Sequence, residues 1–399
     1  MKKYVSSLLV FIAFSAFGQS GCTDPNAQNF NPNAQWNDGS CLYDSLFIAP
    51  SEITLLSTVL NENSGLFFRN DTIWTHNDSG NSSTLFALDT FGTLLRQVVV
   101  ANATNADWEA ISFSGNYGYV GDFGNNVGTR TNLKLYRFAI SDLQNDTITV
   151  DSISFAYANQ TSFTSNAQTN FDAEAFIVIN DTVHVFTKNW GNQFTNHFIF
   201  PAQLGLQSAQ LIDSFFVDGL ITDAAFDSVN GTIVLLGYRS IMSSLYESFM
   251  WVLFDNQHGV FSGNKRKISI GNMFAVGQTE GLTFKNAQEL YLSSEQIQSG
   301  FIVIPPRLFQ LNISQIFTQT ASIPQNLIKI SVYPNPATNE IHVEQLQKPL
   351  SFQLKNAAGQ DVLSGEVTPD HPIISVDKNQ RGVYFLTLEN KEIVRVVLE

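Results

Sequence analysis

Between about residues 50 and 320, apolar and polar positions alternate in short runs broken by turn residues, and no stretch keeps a helical period. Period-two alternation sends successive side chains to opposite faces of a pleated strand. The runs recur at a spacing of roughly fifty residues, which is how a repeated sheet unit reads in a sequence. Each unit opens on a small or acidic residue before an apolar run: Asn63-Ser64-Gly65-Leu66-Phe67, Asp107-Trp108-Glu109-Ala110-Ile111, Asp172-Ala173-Glu174-Ala175-Phe176, Thr222-Asp223-Ala224-Ala225-Phe226 and Gln278-Thr279-Glu280-Gly281-Leu282. A second strand follows each opening, at 72–75, 117–121, 182–187, 232–237 and 289–293. Third strands are expected at 84–89, 133–138, 197–200, 249–254 and 307–311, and fourth strands at 94–100, 148–156, 209–216 and 266–270. The fifth unit lacks a fourth strand, and the chain start offers a spare one at 53–60.

The pattern therefore predicts an all-β fold. It is a β-propeller of five visible four-stranded blades, with room for a sixth divergent one, closed by the N-terminal strand so that no sheet edge stays open. A row of β-sandwiches is the competing architecture.

After Pro324 the pattern changes. Short strands at 340–344, 352–354, 372–376, 381–388 and 393–398 read as a small C-terminal β-sandwich. Pro334 and Pro336 cannot pair inside a central strand and mark its entry, and Gly382 permits a tight turn before the penultimate strand.

The Tyr333-Pro334-Asn335-Pro336 opening, the mid-domain Gly359 and the Gly382-Val383-Tyr384-Phe385-Leu386 run resemble the type A sorting domain of type IX secretion, found in Bacteroidetes. That resemblance implies a partner, the type IX machinery. It also implies passage across the outer membrane, removal of the tag, and a mature protein that is surface-anchored or released.

The N-terminus carries a matching export signal. Lys2 and Lys3 precede an apolar run at 8–17, and Ala16-Phe17-Gly18 places small residues before a cleavage point at Gln19. No other segment is long and apolar enough to cross a membrane as a helix. The two cysteines, Cys22 and Cys41, are expected to form a disulfide in an exported protein. Their loop resembles the short Cys-Thr-Asp-Pro modules of Bacteroidetes surface proteins. Asp24, Asn26, Asn37 and Asp38 within it suit either calcium or Asx turns. The expected organisation is a signal peptide at 1–18, a stapled segment at 19–46, a propeller at 47–320, a linker at 321–328 and the sorting domain at 329–399.

Composition sharpens the picture. The 399 residues carry a formal net charge of −14 and only 14% charged residues, with 33 Phe. Lysines and arginines form no stripe, so nucleic acid is not an expected partner.

In a propeller the first strand of every blade lines the central channel. Asp107, Glu109, Asp172, Glu174, Asp223 and Glu280 would then converge and could hold a metal. His76, Asp78, Asp122, Lys188, Arg239 and Glu295 follow the second strands and would add ligand-binding groups at the same end. A ring of carboxylates cannot stay ionised without counter-charge. Calcium, with six to eight oxygen ligands, is the natural cofactor, and Lys188 and Arg239 could share the balance. Alternatively, such carboxylates bond backbone N–H groups of the next blade. The Asp-x-Glu-Ala and Thr-Glu-Gly-Leu openings, with 76–80 and 121–126, resemble exported phytase-like and lactonase-like propellers. That resemblance implies calcium and, for some members, hydrolysis of phosphate esters or lactones. Few cations accompany the acids here, which speaks against a phosphatase. No metalloprotease, nucleophile-elbow or phosphate-loop signature is present. The expected function is an extracellular propeller that binds a ligand or partner at an acidic central face with calcium. A calcium-dependent hydrolase of an ester, lactone or phosphoester is the alternative.

Overall fold

The structure, a computed structural model, describes residues 19–242, 245–256, 259–299, 302–317, 332–344, 346, 349–356, 360–376, 381–388 and 392–399. The expected signal peptide, the linker at 321–328 and Gly359 lie outside these described residues. The chain divides into two compact units, residues 1–319 and 320–399.

The first unit is a five-bladed propeller. The innermost strands are Asn63–Arg69, Trp108–Ser114, Ala173–Ile179, Leu220–Asp227 and Gln278–Asn286, one for each of blades I to V. Each packs against the next, and the fifth packs against the first, so the ring is closed. Val, Ile, Leu and Phe at alternating positions fill the spaces between blades. Phe176, Phe198 and Phe155 lie between blades II and III, and Leu236, Met250 and Leu292 between blades IV and V.

Blade V is completed from the other end of the chain. Ser51–Leu55 pairs antiparallel with the outer part of Arg307–Asn312. The closing strand is shorter than the sequence suggests, because Thr58–Leu60 winds into a 3₁₀ turn capped by Ser57. The expected strand at 148–156 is also divided. Thr147–Ile148 adds to the edge of blade I, whereas Asp151–Tyr157 forms the outer strand of blade II. Tight hairpins join the first two strands of blades I and III, with Asn70-Asp71 and Asn180-Asp181 both at positive φ. Such turns match the twist of the flanking strands.

The stapled segment belongs to the propeller unit. Cys22 and Cys41 are disulfide-bonded. Asp24 accepts from the Asn26 N–H and the Tyr43 hydroxyl, and Asp38 accepts from the Ser40 N–H, so these oxygens build turns. Asn37 reaches Asp255 at 3.0 Å and Asn264 at 2.8 Å on blade IV.

The second unit contains a three-stranded and a four-stranded sheet around a core that includes Ile341, Leu354, Leu386 and Val396. Asn335, within the Tyr-Pro-Asn-Pro opening, donates to the Arg395 carbonyl and accepts from the Val397 N–H, each at 2.8 Å. That side chain ties the entry of the unit to its last strand. Gly382 opens the strand Gly382–Leu388 at φ 151°, and Tyr384 is buried.

Candidate functional site

The backbone prepares the site before any side chain does. In blade II, Gly121 pairs with Ala110 and Asp122 with Trp108, so Glu109 is an extra residue bulged out of the ladder. The same irregularity extrudes Glu174 in blade III and Glu280 in blade V. It falls at Thr222 in blade IV and at Gly65-Leu66 in blade I. A bulge bends its strand and re-aims a side chain. Here one recurring bulge turns three glutamates into one axial cavity of about 230 Å³.

A second ring comes from the second strands, one residue past the partner of the residue that precedes each bulge. That position is Lys188 in blade III, Tyr238 in blade IV and Glu295 in blade V, with Asp78 one residue later in blade I. All four line the cavity with Glu109, Glu174, Glu280, Gln278, Ser64, Asn126 and Trp190. Five carboxyl groups thus face one ammonium.

Lys188 is buried and donates to both carboxylate oxygens of Glu174 at 2.6 Å. Its Nζ lies 5.2 Å from the Trp190 ring and 5.3 Å from the Tyr238 ring. Burial alone would lower the Lys188 pKa, but Glu174 first, then Tyr238 and Glu280, hold it well above the ordinary lysine value. The other four acids have no ion-pair partner among the described residues. Burial, then Glu174 and Asp78, pushes Glu109 well above the carboxylate range. Burial, with Glu280 and Asp78 adding to it, takes Glu295 to about 9. Burial, with Asp107 and Glu280, takes Asp78 to about 7.

One corner brings three acids together. A single oxygen from each of Asp78, Asp107 and Glu109 lies within 4.8 Å of the others. Hard carboxylate oxygens at that spacing suit calcium. Glu109 is only 6% exposed; its carbonyl accepts from the Ser64 hydroxyl, and its carboxyl group has no hydrogen bond or ion pair among the described residues. Arg130 approaches Asp107 at 4.0 Å but spends itself on Asp122 at 2.7 Å. The loop backbone must come close, since a Cβ on Gly124 would overlap the carboxylate oxygens of Glu109 and Asp107.

Other sequence candidates are placed elsewhere. Asp223 stands one position past the bulge, out of register with the three glutamates. Its carboxylate accepts from the Ala224 and Leu282 N–H groups at 2.8 and 2.6 Å, and from that of Leu66. It therefore pins blades I, IV and V together below the cavity. Asp172 accepts from the Asn125 N–H at 2.6 Å and the Trp190 indole at 2.8 Å, bridging a loop of blade II to blade III. Asp122 is held by Arg130. His76 is fully buried, bonded to the Asn77 carbonyl, edge-on to Trp108, and pushed down to about 4 by burial. Arg239 pairs with Asp218 at 2.9 Å and Glu247 at 2.7 Å, outside the cavity.

Sequence reasoning did not single out Trp190, Gln278 or Ser64 as cavity residues. Gln278 could have been found, because it precedes Glu280 by two positions as Asp107 precedes Glu109. Trp190 carries no such signal.

Comparison with known proteins bears on the second unit. Residues 331–397 match the family described as "Secretion system C-terminal sorting domain". The chain ends in a sorting domain. The type IX export signal read from Tyr333-Pro334-Asn335-Pro336 and Gly382 to Leu386 is therefore present in this secreted protein. No helix among the described residues is long and apolar enough to cross a membrane. No curated protein matches the chain. Among solved structures, a Bombyx mori GH32 β-fructofuranosidase mutant in complex with sucrose is similar at 10% identity and a TM-score of 0.40. The alignment covers 88% of each chain.

Proposed function

We propose that this exported propeller binds calcium in its axial acidic cavity and, through that ion, an extracellular ligand or partner. The observation that carries the reading is Glu109. A carboxylate that is nine-tenths buried and unpartnered is costly, and it stands beside Asp78 and Asp107 at a spacing suited to one ion. Lys188 already neutralises Glu174, so the ion's place is among the acids of blades I and II. Asp78, Asp107 and Glu109 would hold it, with Asn126 beside them in the cavity wall. One ammonium among five carboxyls is poor equipment for a phosphate group, which favours ligand binding over the phosphoester branch of the hydrolase alternative.

Isothermal titration of calcium into protein stripped with EDTA tests this. One saturable site is expected, lost in Glu109→Gln and kept in Arg239→Gln. Absence of binding heat in the unmodified protein would overturn the proposal. Calcium-dependent turnover of a generic ester or lactone panel would move the reading to the hydrolase.

A further inference from the structure

The channel has a second chamber. Below the layer pinned by Asp223, the carboxy-terminal ends of all five inner strands surround a cavity of about 690 Å³. This lies within the size range of small-molecule sites. Its wall is mixed: Ile177, Ala225, Phe226, Leu282 and Phe284 contribute an apolar part slightly larger than the polar part, to which Ser112, Asn180 and Thr283 belong. It shares no residue with the acidic cavity.

One charged group at its rim is set apart. The Arg69 guanidinium lies over the Phe113 ring at 5.5 Å, and its Nη1 donates to the Gly115 carbonyl at 2.6 Å. Those two contacts fix the fork in place. A guanidinium has five N–H donors, and Arg69 pairs with no carboxylate among the described residues. Lys285, also at the rim, is already 3.6 Å from Glu289. Asp227 is occupied by the Val229 and Asn230 N–H groups of its own turn. The rim therefore offers one oriented guanidinium with no ion-pair partner among the described residues, at the mouth of a chamber with an apolar part.

We infer that the lower chamber is a binding site for a small amphiphilic carboxylate. Its hydrocarbon body fills the chamber and its head group lies in the Arg69 fork. Arg is the side chain suited to such a head group, since its fork matches a carboxylate with two parallel hydrogen bonds. The inference does not rest on the calcium reading, because Asp223 separates the two chambers.

Titration of the full chain with dodecanoate, and with dodecanol as the uncharged counterpart, tests it. Saturable one-to-one binding of dodecanoate is expected, weakened at least about tenfold in Arg69→Gln. Ser112→Phe, which places a ring in the chamber, should abolish it, with a melting curve to show that the variant folds. Binding should persist in EDTA and in Glu109→Gln. No saturable binding, equal affinity for the alcohol, or indifference to Arg69→Gln would overturn the inference. Loss in EDTA would place the ligand in the acidic cavity and overturn it equally.

Discussion

The Lys188 ammonium stands 2.6 Å from both carboxylate oxygens of Glu174, and both side chains are almost wholly buried. Breaking such a pair on one side leaves a charge with neither water nor partner, at a cost of about 3–5 kcal/mol. Lys188→Met should therefore lower stability by that order in urea denaturation. Replacing both partners, as Lys188→Met with Glu174→Leu, should recover much of the loss, because no charge is stranded. A single variant as stable as the unmodified protein would show that Glu174 is not held as an ion.

The pH dependence follows from the same burial. Asp78, raised from 3.8 to about 7, and Glu295, raised from 4.5 to about 9, keep protons in the fold that the unfolded chain has lost. The folded state binds more protons, so without calcium stability should fall as pH rises through that window. His76 and His184, both lowered from 6.5 to about 4, act in the opposite sense within the acid part of that window. There the unfolded chain binds more protons on its imidazoles, which offsets the two carboxyls between about pH 4.5 and 6.5. Melting temperatures across pH 4–9 in EDTA should therefore fall mainly above about pH 6.5, where only the carboxyls still differ. Saturating calcium should flatten that fall.

How far the site was legible depends on which part of the physics sets each residue. The repeat spacing and alternation marked the blades, because strand burial imposes a period on the sequence. Glu109, Glu174 and Glu280 could be read as equivalent from the residues that follow them. Asp223 could not be placed. Its neighbours Ala224 and Ala225 mimic the other openings, and the bulge that shifts it by one position leaves no mark in composition. Arg239 sits next to Tyr238, which does line the cavity, and strand alternation turns the two apart. The division of 148–156 between two blades was equally invisible, since both pieces are β-formers.

Gly124 is required by space rather than by flexibility. Its missing Cβ is where the carboxylate oxygens of Asp107 and Glu109 approach the loop. Gly124→Ala should push the loop or the acids aside, costing about 1–3 kcal/mol and weakening calcium uptake. Calcium titration and melting measured on the same sample check both effects. Unchanged calcium affinity would mean that these oxygens are not the ligands.

The sorting domain makes a cellular prediction. A chain ending at residue 328 lacks the whole matched segment 331–397. It should accumulate behind the outer membrane, whereas the full chain reaches the surface or the medium. Fractionation with an antibody to the propeller reads this directly. Equal surface delivery of the truncated chain would mean that the matched segment is not the export signal in use.

The chain start acts as a clasp on the ring. From the disulfide loop, Asn37 reaches blade IV, and Lys265 of that blade donates to the Gly39 carbonyl at 3.2 Å. Leu46–Phe47 then adds a parallel strand to blade IV, and Ser51–Leu55 completes blade V. Cooperative closure of the ring therefore depends on residues far from the last blade in sequence. The disulfide spans a sequence separation of 19, and closing a loop of that size is worth about 3 kcal/mol in the chain-entropy account. Cys22→Ser with Cys41→Ser should lower the melting temperature yet leave the propeller folded, since the strand pairs remain. Deleting residues 19–46 should cost more, because Leu46 and the blade IV contacts go with it. Deleting residues 19–55 removes the strand that closes blade V and exposes the edge of Arg307–Asn312. That protein should melt without cooperativity or aggregate. If it melts as the full chain does, the ring is held by the packing of its inner strands alone, and the clasp has no part in its stability.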